Sequence, residues 1–380
     1  MIYLTCNDAP SGIFSSQVVD VCNFLNKRCE ANIRLVALLS LRGFSANRAK
    51  IRNEFPSAII LPMFPGPQNW RWNKFLLFLL FVFLGKQSVI ARGPFAASLA
   101  LSLKKAGRVQ RVCFDARGAY DSEFHEYDVA NSPAINNEIF SIEKNALVNS
   151  DFRIAVSAKL VEYWKLKFGY SGEAHVVIPC TLKLSNYNTP PEVKVVETKR
   201  ALLGYSETDV VYVYAGSSSE WQSLGLVDDF LTRKLQTDTN AKVLLLIREV
   251  PEKMTVAKAF PRKVTIKWVK AGKMPDILSC CDYGLLIRNN SVTNSVASPV
   301  KFAEYLAAGL KIIISSGIGD YSDFVKAHDC GRVLSSIDDE FSLSAISLEE
   351  RKRNIEISGK KFSKENYLRE YSAVLQSMGR

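Results

Sequence analysis

The segment Arg288–Ser315, RNNSVTNSVASPVKFAEYLAAGLKIIIS, concentrates residues that can hold a phosphorylated ligand. Ser298 suits a helix N-cap, Pro299 the first helical position and Gly309 the position just past the C-terminus, so a short helix is expected between them. Lys301 then falls in the first turn, and Glu304 follows three residues later on the same face. A lysine there opposes the helix dipole by ~0.3–1 kcal/mol. A phosphate or diphosphate at the helix start reverses that cost, because backbone N–H groups, dipole and ammonium all favour the anion. Glu304 is then placed to accept hydrogen bonds from hydroxyls such as those of a ribose. The segment alone leaves a plainer reading open, with Lys301 extended into solvent and Glu304 binding nothing.

Three other places carry reactive types. Ser11-Gly12 lies between an apolar strand and a helix, where backbone N–H groups can approach a phosphate, although a lone glycine also serves simply as a turn. In FDARGAYDSEFHEY, Asp115 and Arg117 end an apolar run, so the carboxylate can orient an acceptor hydroxyl or merely pair with the guanidinium. His125 is a base by type, and its context is that of a surface residue. Eight cysteines without a C-x-x-C pair, and only three histidines, argue against zinc. Several of those cysteines sit in apolar runs, as expected of reduced thiols in the cytoplasm.

These residues need a frame that presents them. In the first half, IYLTC, IRLVALL, SAIILP, SVIAR, VCFDA and FRIAVS alternate with helical stretches; in the second, DVVYVYAG, AKVLLLI, VTIKWV, DYGLLI and LKIIIS do the same. Strands apolar on both sides, alternating with helices, predict parallel sheets covered on both faces. The expected fold class is α/β, with two Rossmann-like doubly wound domains facing a central cleft. The Pro-Pro stretch KLSNYNTPPEVKVVET separates them, giving an N-terminal domain over 1–184, a C-terminal domain over 185–355, and a final helix over 356–380 that packs back toward the N-terminal domain.

Charge is distributed unevenly. Of 380 residues with a net charge of +11, residues 1–111 hold 15 Lys and Arg against 4 Asp and Glu, and the remainder balances to zero. Such asymmetry suits an anionic partner, a membrane surface above all, or a solvated basic face. Nucleic acid is disfavoured, because the basic residues are dispersed and no recognition motif accompanies them. Phe75–Leu84, FLLFLLFVFL, falls short of the ~20 residues that span a bilayer. Its neighbours Trp70, Arg71, Trp72, Lys74 and Lys86 favour a membrane interface, and a buried helix is the competing expectation. No signal peptide is evident in MIYLTCNDAPSG.

The Arg288–Ser315 run resembles the donor-site segment of retaining family-four glycosyltransferases of bacterial surface-polysaccharide pathways, in which S-P-x-K-x-x-E-Y-L-A-x-G precedes a buried strand. Ser298, Pro299, Lys301, Glu304, Tyr305, Leu306, Ala307 and Gly309 match. Asp115-Ala116-Arg117-Gly118, Ile178-Pro179-Cys180, and Tyr214-Ala215-Gly216-Ser217 with Trp221-Gln222 extend the match over most of the chain. The resemblance implies the GT-B fold, a nucleotide-diphosphate sugar as donor, a lipid-linked or surface-glycan acceptor, no metal or other cofactor, retention of anomeric configuration, and work at the inner face of the cytoplasmic membrane. It assigns the diphosphate to Lys301 with Arg288 as a second cation, and the ribose to Glu304. The full donor-binding set is Gly12, Ser217, Arg248, Arg288, Ser298, Lys301 and Glu304, with Asp115 and Arg117 catalytic. Two departures stand out. Val296 occupies the first glutamate position of the family's E-x7-E pattern, and GSSSEWQ lacks the usual Arg and Lys, for which Arg248 is the substitute. They leave open a non-catalytic scaffold of the same fold; a nucleotide-sugar epimerase on the same architecture is a separate alternative.

Overall fold

The computed structural model describes residues 1–129, 132–183, 187, 193–216 and 222–379. Its strands form two sheets in which every pairing is parallel. The first holds β1 (Ile2–Cys6), β2 (Arg34–Leu39), β3 (Ile59–Pro62), β4 (Gln87–Arg92), β5 (Val109–Asp115), β6 (Phe152–Ala155) and β7 (His175–Val177), in the order β3-β2-β1-β4-β5-β6-β7. The second holds β8 (Val210–Ala215), β9 (Ala241–Leu246), β10 (Val264–Lys267), β11 (Tyr283–Leu286), β12 (Lys311–Ser315) and β13 (Gly331–Leu334), in the order β10-β9-β8-β11-β12-β13. Each order reverses once, between β1 and β4 in the first sheet and between β8 and β11 in the second. In doubly wound sheets ligands bind beyond the carboxyl ends of the strands at such a reversal.

The alternation of side chains explains why the strands read as unbroken apolar runs. In the first sheet Leu4, Val36, Leu38, Val89, Ala91 and Phe114 enter one core, while Tyr3, Leu35, Ala37, Ile90 and Cys113 enter a second. The second sheet divides likewise, with Val211, Val213, Leu244 and Ile312 on one face and Tyr212, Tyr214, Val243, Leu285 and Ile313 on the other. Both faces are therefore covered. Two strands had no such signature in the sequence. His175–Val177 and Gly331–Leu334 are short edge strands of mixed exposure.

The chain divides into two compact units, Met1–Thr181 with Val296–Ser298 and Lys364–Arg380, and Leu182–Ser295 with Pro299–Ser363. The division falls three residues before the one expected at 184/185. The C-terminal stretch is also not one element. Leu348–Phe362 is a helix of the second unit, started by a capping box in which the Ser347 hydroxyl accepts from the Glu350 amide. Ser363 then turns extended, and the amide of Leu182 donates to the Phe362 carbonyl at 2.8 Å. Only the following turn and the helix Leu368–Ser377 belong to the first unit, where Tyr371, Val374, Leu375 and Met378 are buried in its core.

The amino-terminal edge of the second sheet is fixed by a buried carboxylate. Asp282, fully enclosed, receives Arg351 Nη2 at 2.7 Å and Arg200 Nη1 at 3.1 Å, and its Oδ2 also accepts from the Val211 amide at 2.8 Å. Removing such an anion strands two buried guanidinium groups. Asp282→Ala is expected to destabilise the second unit by about 3–5 kcal/mol, seen as a lowered midpoint in urea unfolding.

Candidate functional site

The expected helix is present, one residue shorter at each end, at Val300–Ala307. Its C-terminus closes as the sequence implies. Gly309 adopts φ +86°, the Leu310 amide donates to the Tyr305 carbonyl at 3.0 Å, and the Gly309 amide donates to the Leu306 carbonyl at 2.9 Å. This double bond is the Schellman arrangement that satisfies a helix's last carbonyls. The N-terminus differs. Pro299, with ψ 119°, is the capping residue, and Ser298 is not, because its hydroxyl accepts from the Cys180 amide at 2.9 Å within the first unit.

Tyr305 holds this helix to the sheet. Its ring lies directly on Gly284 of β11, where a Cβ has no room, and its hydroxyl accepts from the Ala215 amide at the end of β8 at 3.0 Å. One buried side chain thus ties the helix to both strands flanking the reversal point. The consequence is a fixed placement for Lys301 and Glu304 beside the carboxyl ends of β8 and β11.

Both charged groups are half-buried, and their environments show it. Burial pushes the Lys301 ammonium well below its ordinary range, with Arg288 adding to the effect and Glu304 opposing it. Burial likewise raises the Glu304 carboxyl against the pull of Lys301. Lys301 Nζ lies 5.6 Å from the centroid of the Tyr214 ring, a cation–π separation. The Tyr214 hydroxyl is raised by burial to about 12 and drawn down by Arg288. Tyr187 lies within electrostatic reach of the other member of the pair, since burial and then Glu304 raise its hydroxyl. Arg288, at the end of β11 and 8% exposed, donates its amide to Ser315 Oγ at 2.9 Å and its Nη1 to Asn294 Oδ1 at 3.3 Å. Lys301 and Tyr214 are in direct cation–π proximity, and Arg288, Glu304 and Tyr187 influence one or both of the charged pair or Tyr214 electrostatically. Gly216, just past β8, has no space for a Cβ beneath the Tyr214 hydroxyl.

Tyr214, Tyr187 and Asn294 were not among the sequence-derived site residues. The Tyr214-Ala215-Gly216 triplet carried the available signal, a bulky residue followed by a glycine at a strand end. Arg248 does not join the group. It is exposed after β9, and its guanidinium lies 5.4 Å over the ring of Trp268. Ser217, and Trp221 with it, lie outside the described residues. Val296, at the first glutamate position of the resemblance, is buried in the first unit's core, and its carbonyl accepts from Ser157 Oγ at 2.7 Å.

In the first unit, Gly12 opens a helical turn capped by Ser11, whose Oγ accepts from the Phe14 amide at 3.2 Å. Gly12 is exposed and has open space where a Cβ would be. Asp115 has a different setting from the one expected. It is 3% exposed, accepts from Tyr3 Oη at 2.5 Å, and has Arg117 Nη1 at 3.3 Å and Arg92 Nη1 at 3.8 Å. Arg117 Nη2 is in turn held by Gln17 Oε1 and Cys180 Sγ, both at 3.1 Å. A carboxylate enclosed in this way positions the guanidinium groups, and the geometry favours that over direct catalysis by Asp115 and Arg117. His125 lies on the helix Tyr120–Tyr127, with Nδ1 2.7 Å from the Asp121 carbonyl oxygen.

No protein-family model and no curated protein sequence matches the chain. Solved structures do. HepE (Alr3699) of Anabaena, in complex with UDP and glucose, aligns over 99% of this chain and 100% of its own at a TM-score of 0.69 and 13% identity. The fold is GT-B. A sucrose-phosphate synthase of Thermosynechococcus elongatus aligns at TM-score 0.67 and 12% identity, covering 99% of this chain and 98% of its own. The lipopolysaccharide outer core galactosyltransferase WaaB in its apo form gives 0.65 and 13%, with 99% of each chain covered. At such identities the likeness is one of architecture. The GT-B chain thus carries a group of charged and aromatic residues at the strand-order reversal of its second sheet.

The Tyr305 clamp is open to direct test. Tyr305→Phe leaves the Ala215 amide without its acceptor and is expected to cost about 1–3 kcal/mol. Gly284→Ala forces the Tyr305 ring aside at about 1–3 kcal/mol. Thermal unfolding of both variants measures these losses.

Proposed function

We propose that this protein is a glycosyltransferase that takes a sugar from a nucleotide-diphosphate donor held by its second unit. The observation that carries the reading is the Lys301–Glu304 pair, two half-buried charges on one helix face beside Arg288. Burying an ammonium that far depresses its charge, so an anionic ligand that restores the charge has a large differential affinity. Arg288 and Lys301 meet the diphosphate and stabilise the negative charge that develops on it as the sugar departs. Glu304 accepts hydrogen bonds from the ribose hydroxyls. With fixed cations in these places the reaction proceeds without a metal, and the resemblance to retaining family-four enzymes supports retention of anomeric configuration. HepE, which shares the fold, is described with UDP and glucose.

The acceptor in this reading is a lipid-linked or surface glycan, reached from a membrane surface. No helix among the described residues is long and apolar enough to cross a membrane. The helix Asn73–Leu84 supports docking on one instead. It buries Leu77 and Phe81 but exposes Phe75, Leu79, Val82 and Phe83, the last at 87%. Lys74 lies over Phe75 and Arg108 over Phe78, at 5.0 and 4.9 Å from the ring centroids, so cations flank the apolar face. An apolar face rimmed with positive charge suits an anionic bilayer interface.

A specific observation favours one rival. The enclosed, apolar Val296 removes the carboxylate that the resemblance puts there, as a non-catalytic scaffold of the same fold allows. Turnover of a competent donor with release of the nucleoside diphosphate excludes the scaffold.

Nucleotide titration tests the donor site. One of UDP, GDP, ADP, CMP or dTDP is expected to raise the melting temperature without added metal, by an amount equivalent to ~2.7 kcal/mol at a hundredfold excess over Kd. Lys301→Ala is expected to weaken that binding by roughly 10- to 150-fold, the loss of a charge-assisted hydrogen bond. Stabilisation by none of the five removes the reading. Binding is also expected to take up protons: Lys301 is held below its ordinary pKa in the free protein and raised by the bound anion, so affinity is full below the free-state value and declines as pH rises through it. Calorimetry in buffers of different ionisation enthalpy measures that uptake, which Lys301→Gln should lack.

Membrane docking has its own test. The protein is expected to sediment with phosphatidylglycerol vesicles and not with phosphatidylcholine vesicles. Phe75→Ser with Phe83→Ser should weaken that binding by more than about tenfold, given ~1.5–3 kcal/mol for each phenylalanine that enters the interface.

A further inference from the structure

The stretch Ile178-Pro179-Cys180 follows β7 in the first unit, and the transfer reading makes no use of its thiol. All eight cysteines are free, and Cys180 is among the buried ones at 7% exposure. Its backbone is fixed, because its amide donates to Ser298 Oγ at 2.9 Å. Its sulfur meets a cation, with Arg117 Nη2 donating to Sγ at 3.1 Å. Arg117 is itself held in place, since Asp115 Oδ1 lies 3.3 Å from its Nη1 and Gln17 Oε1 3.1 Å from its Nη2. Gln17 is anchored in turn by donating from Nε2 to the Thr181 carbonyl at 2.9 Å.

A second cation is enclosed nearby and lacks an acceptor. Lys364 opens the turn Lys364–Tyr367, is 3% exposed, and its Nζ makes no hydrogen bond. An ammonium in that state has given up water without a replacement, and an added acceptor recovers part of that cost. Burial draws it down to about 8; Asp20, Glu365 and Cys180 oppose the effect and Arg117 reinforces it. The two carboxylates thus attract Lys364 without accepting a hydrogen bond from it. Against the effect of burial, Cys180 and then Asp115 raise the Arg117 guanidinium. The Cys180 sulfur therefore lies within electrostatic reach of two cations, one of them unsatisfied.

What this place lacks is an oxygen acceptor, and sulfur can gain one. When a cysteine attacks a peroxide, an S–O bond forms as the O–O bond breaks. The sulfur loses two electrons and the peroxide gains them, and the departing hydroxide takes the thiol proton and leaves as water. The oxygen on sulfur accepts from a guanidinium or an ammonium, and such charge-assisted bonds are strong. A cavity of about 10 Å³ lined by Gln17, Arg117, Pro179 and Tyr371 offers the space of one water-sized molecule beside Arg117. We propose that Cys180 is a modification site for hydrogen peroxide, with Arg117 and Lys364 holding the oxygen it gains. The site lies in the first unit and does not depend on the transfer reading. Exposure by itself puts other thiols first, since Cys6 and Cys29 are only partly buried.

Mass spectrometry of the peptides tests this on the full chain. The folded protein is exposed briefly to hydrogen peroxide, catalase removes the excess, and the chain is unfolded with an alkylating agent and a cyclic 1,3-diketone that traps sulfenic acids. The adduct and any sulfinate are then located cysteine by cysteine. Cys180 is expected to be modified about tenfold faster than Cys6 and Cys29, the effect of a charge-assisted hydrogen bond formed with the S–O bond. Lys364→Met keeps a long buried side chain without the charge and should slow Cys180 by about tenfold, leaving Cys6 and Cys29 as they were. Lys364→Arg should retain the preference for Cys180. A Cys180 rate no faster than that of Cys6 or Cys29, or one that Lys364→Met leaves unchanged, overturns the proposal. The comparison among cysteines uses the parent chain, so it decides the matter even where the Met variant does not fold.

Discussion

The packing of Tyr305 on Gly284 is the contact on which the second unit's chemistry depends. A helix eight residues long has little stability of its own, and its place is set by what it buries. Here a single aromatic ring rests where a strand residue lacks a side chain, and its hydroxyl completes the last amide of the neighbouring strand. That fixes the helix across the reversal of strand order. Lys301 and Glu304 acquire their depressed and raised ionisation from burial at this spot, so the clamp and the electrostatics are one feature seen at two scales.

The two units treat charge in opposite ways. In the second, Asp282 neutralises Arg200 and Arg351 at the amino-terminal edge of the sheet, while Lys301 and Arg288 remain at the carboxyl edge with less compensation. In the first, Asp115, Arg92, Arg117 and Asp8 are paired at the carboxyl edge itself. The two carboxyl edges therefore differ in how far their charges are neutralised within the fold. The wide π turn Ser15–Val19 contributes, since Gln17 within it bonds both Arg117 and the Thr181 carbonyl.

Much of this was legible in the sequence, for reasons that differ by residue. The parallel sheets followed from strands apolar on both faces, and Gly309 marked the end of its helix because helix termination is local chemistry. Spacing placed Lys301 and Glu304 on one face of a short helix and left their role open, and it was the family resemblance that assigned them to a donor. The expectations and the structure part where a distant partner sets the local contacts. Ser298 had the right type for a cap, but a backbone amide 118 residues away takes its hydroxyl. Asp115 had the type of a catalytic carboxylate, and its enclosure by Tyr3, Arg92 and Arg117 depends on strands far apart in sequence. Arg248 ends a strand as Arg288 does, yet an exposed loop carries it to Trp268. Tyr187 had no pattern to announce it, for it matters through neighbours that only folding supplies.

The first unit is assembled from stretches far apart in sequence. Tyr371, Val374, Leu375 and Met378 lie in its core, Ser88 Oγ donates to the Met378 carbonyl at 2.8 Å, and Arg111 Nη1 donates to the Ser377 carbonyl at 2.6 Å. During synthesis, β1, β2 and β4 must therefore wait for the helix Leu368–Ser377 before the hydrophobic surface they share with it is closed. During that interval the phenylalanine-rich helix and the unfinished core are exposed together. Until the helix Leu368–Ser377 emerges, the sheet lacks part of its core, and such exposed apolar surface is the kind that makes folding intermediates prone to aggregate.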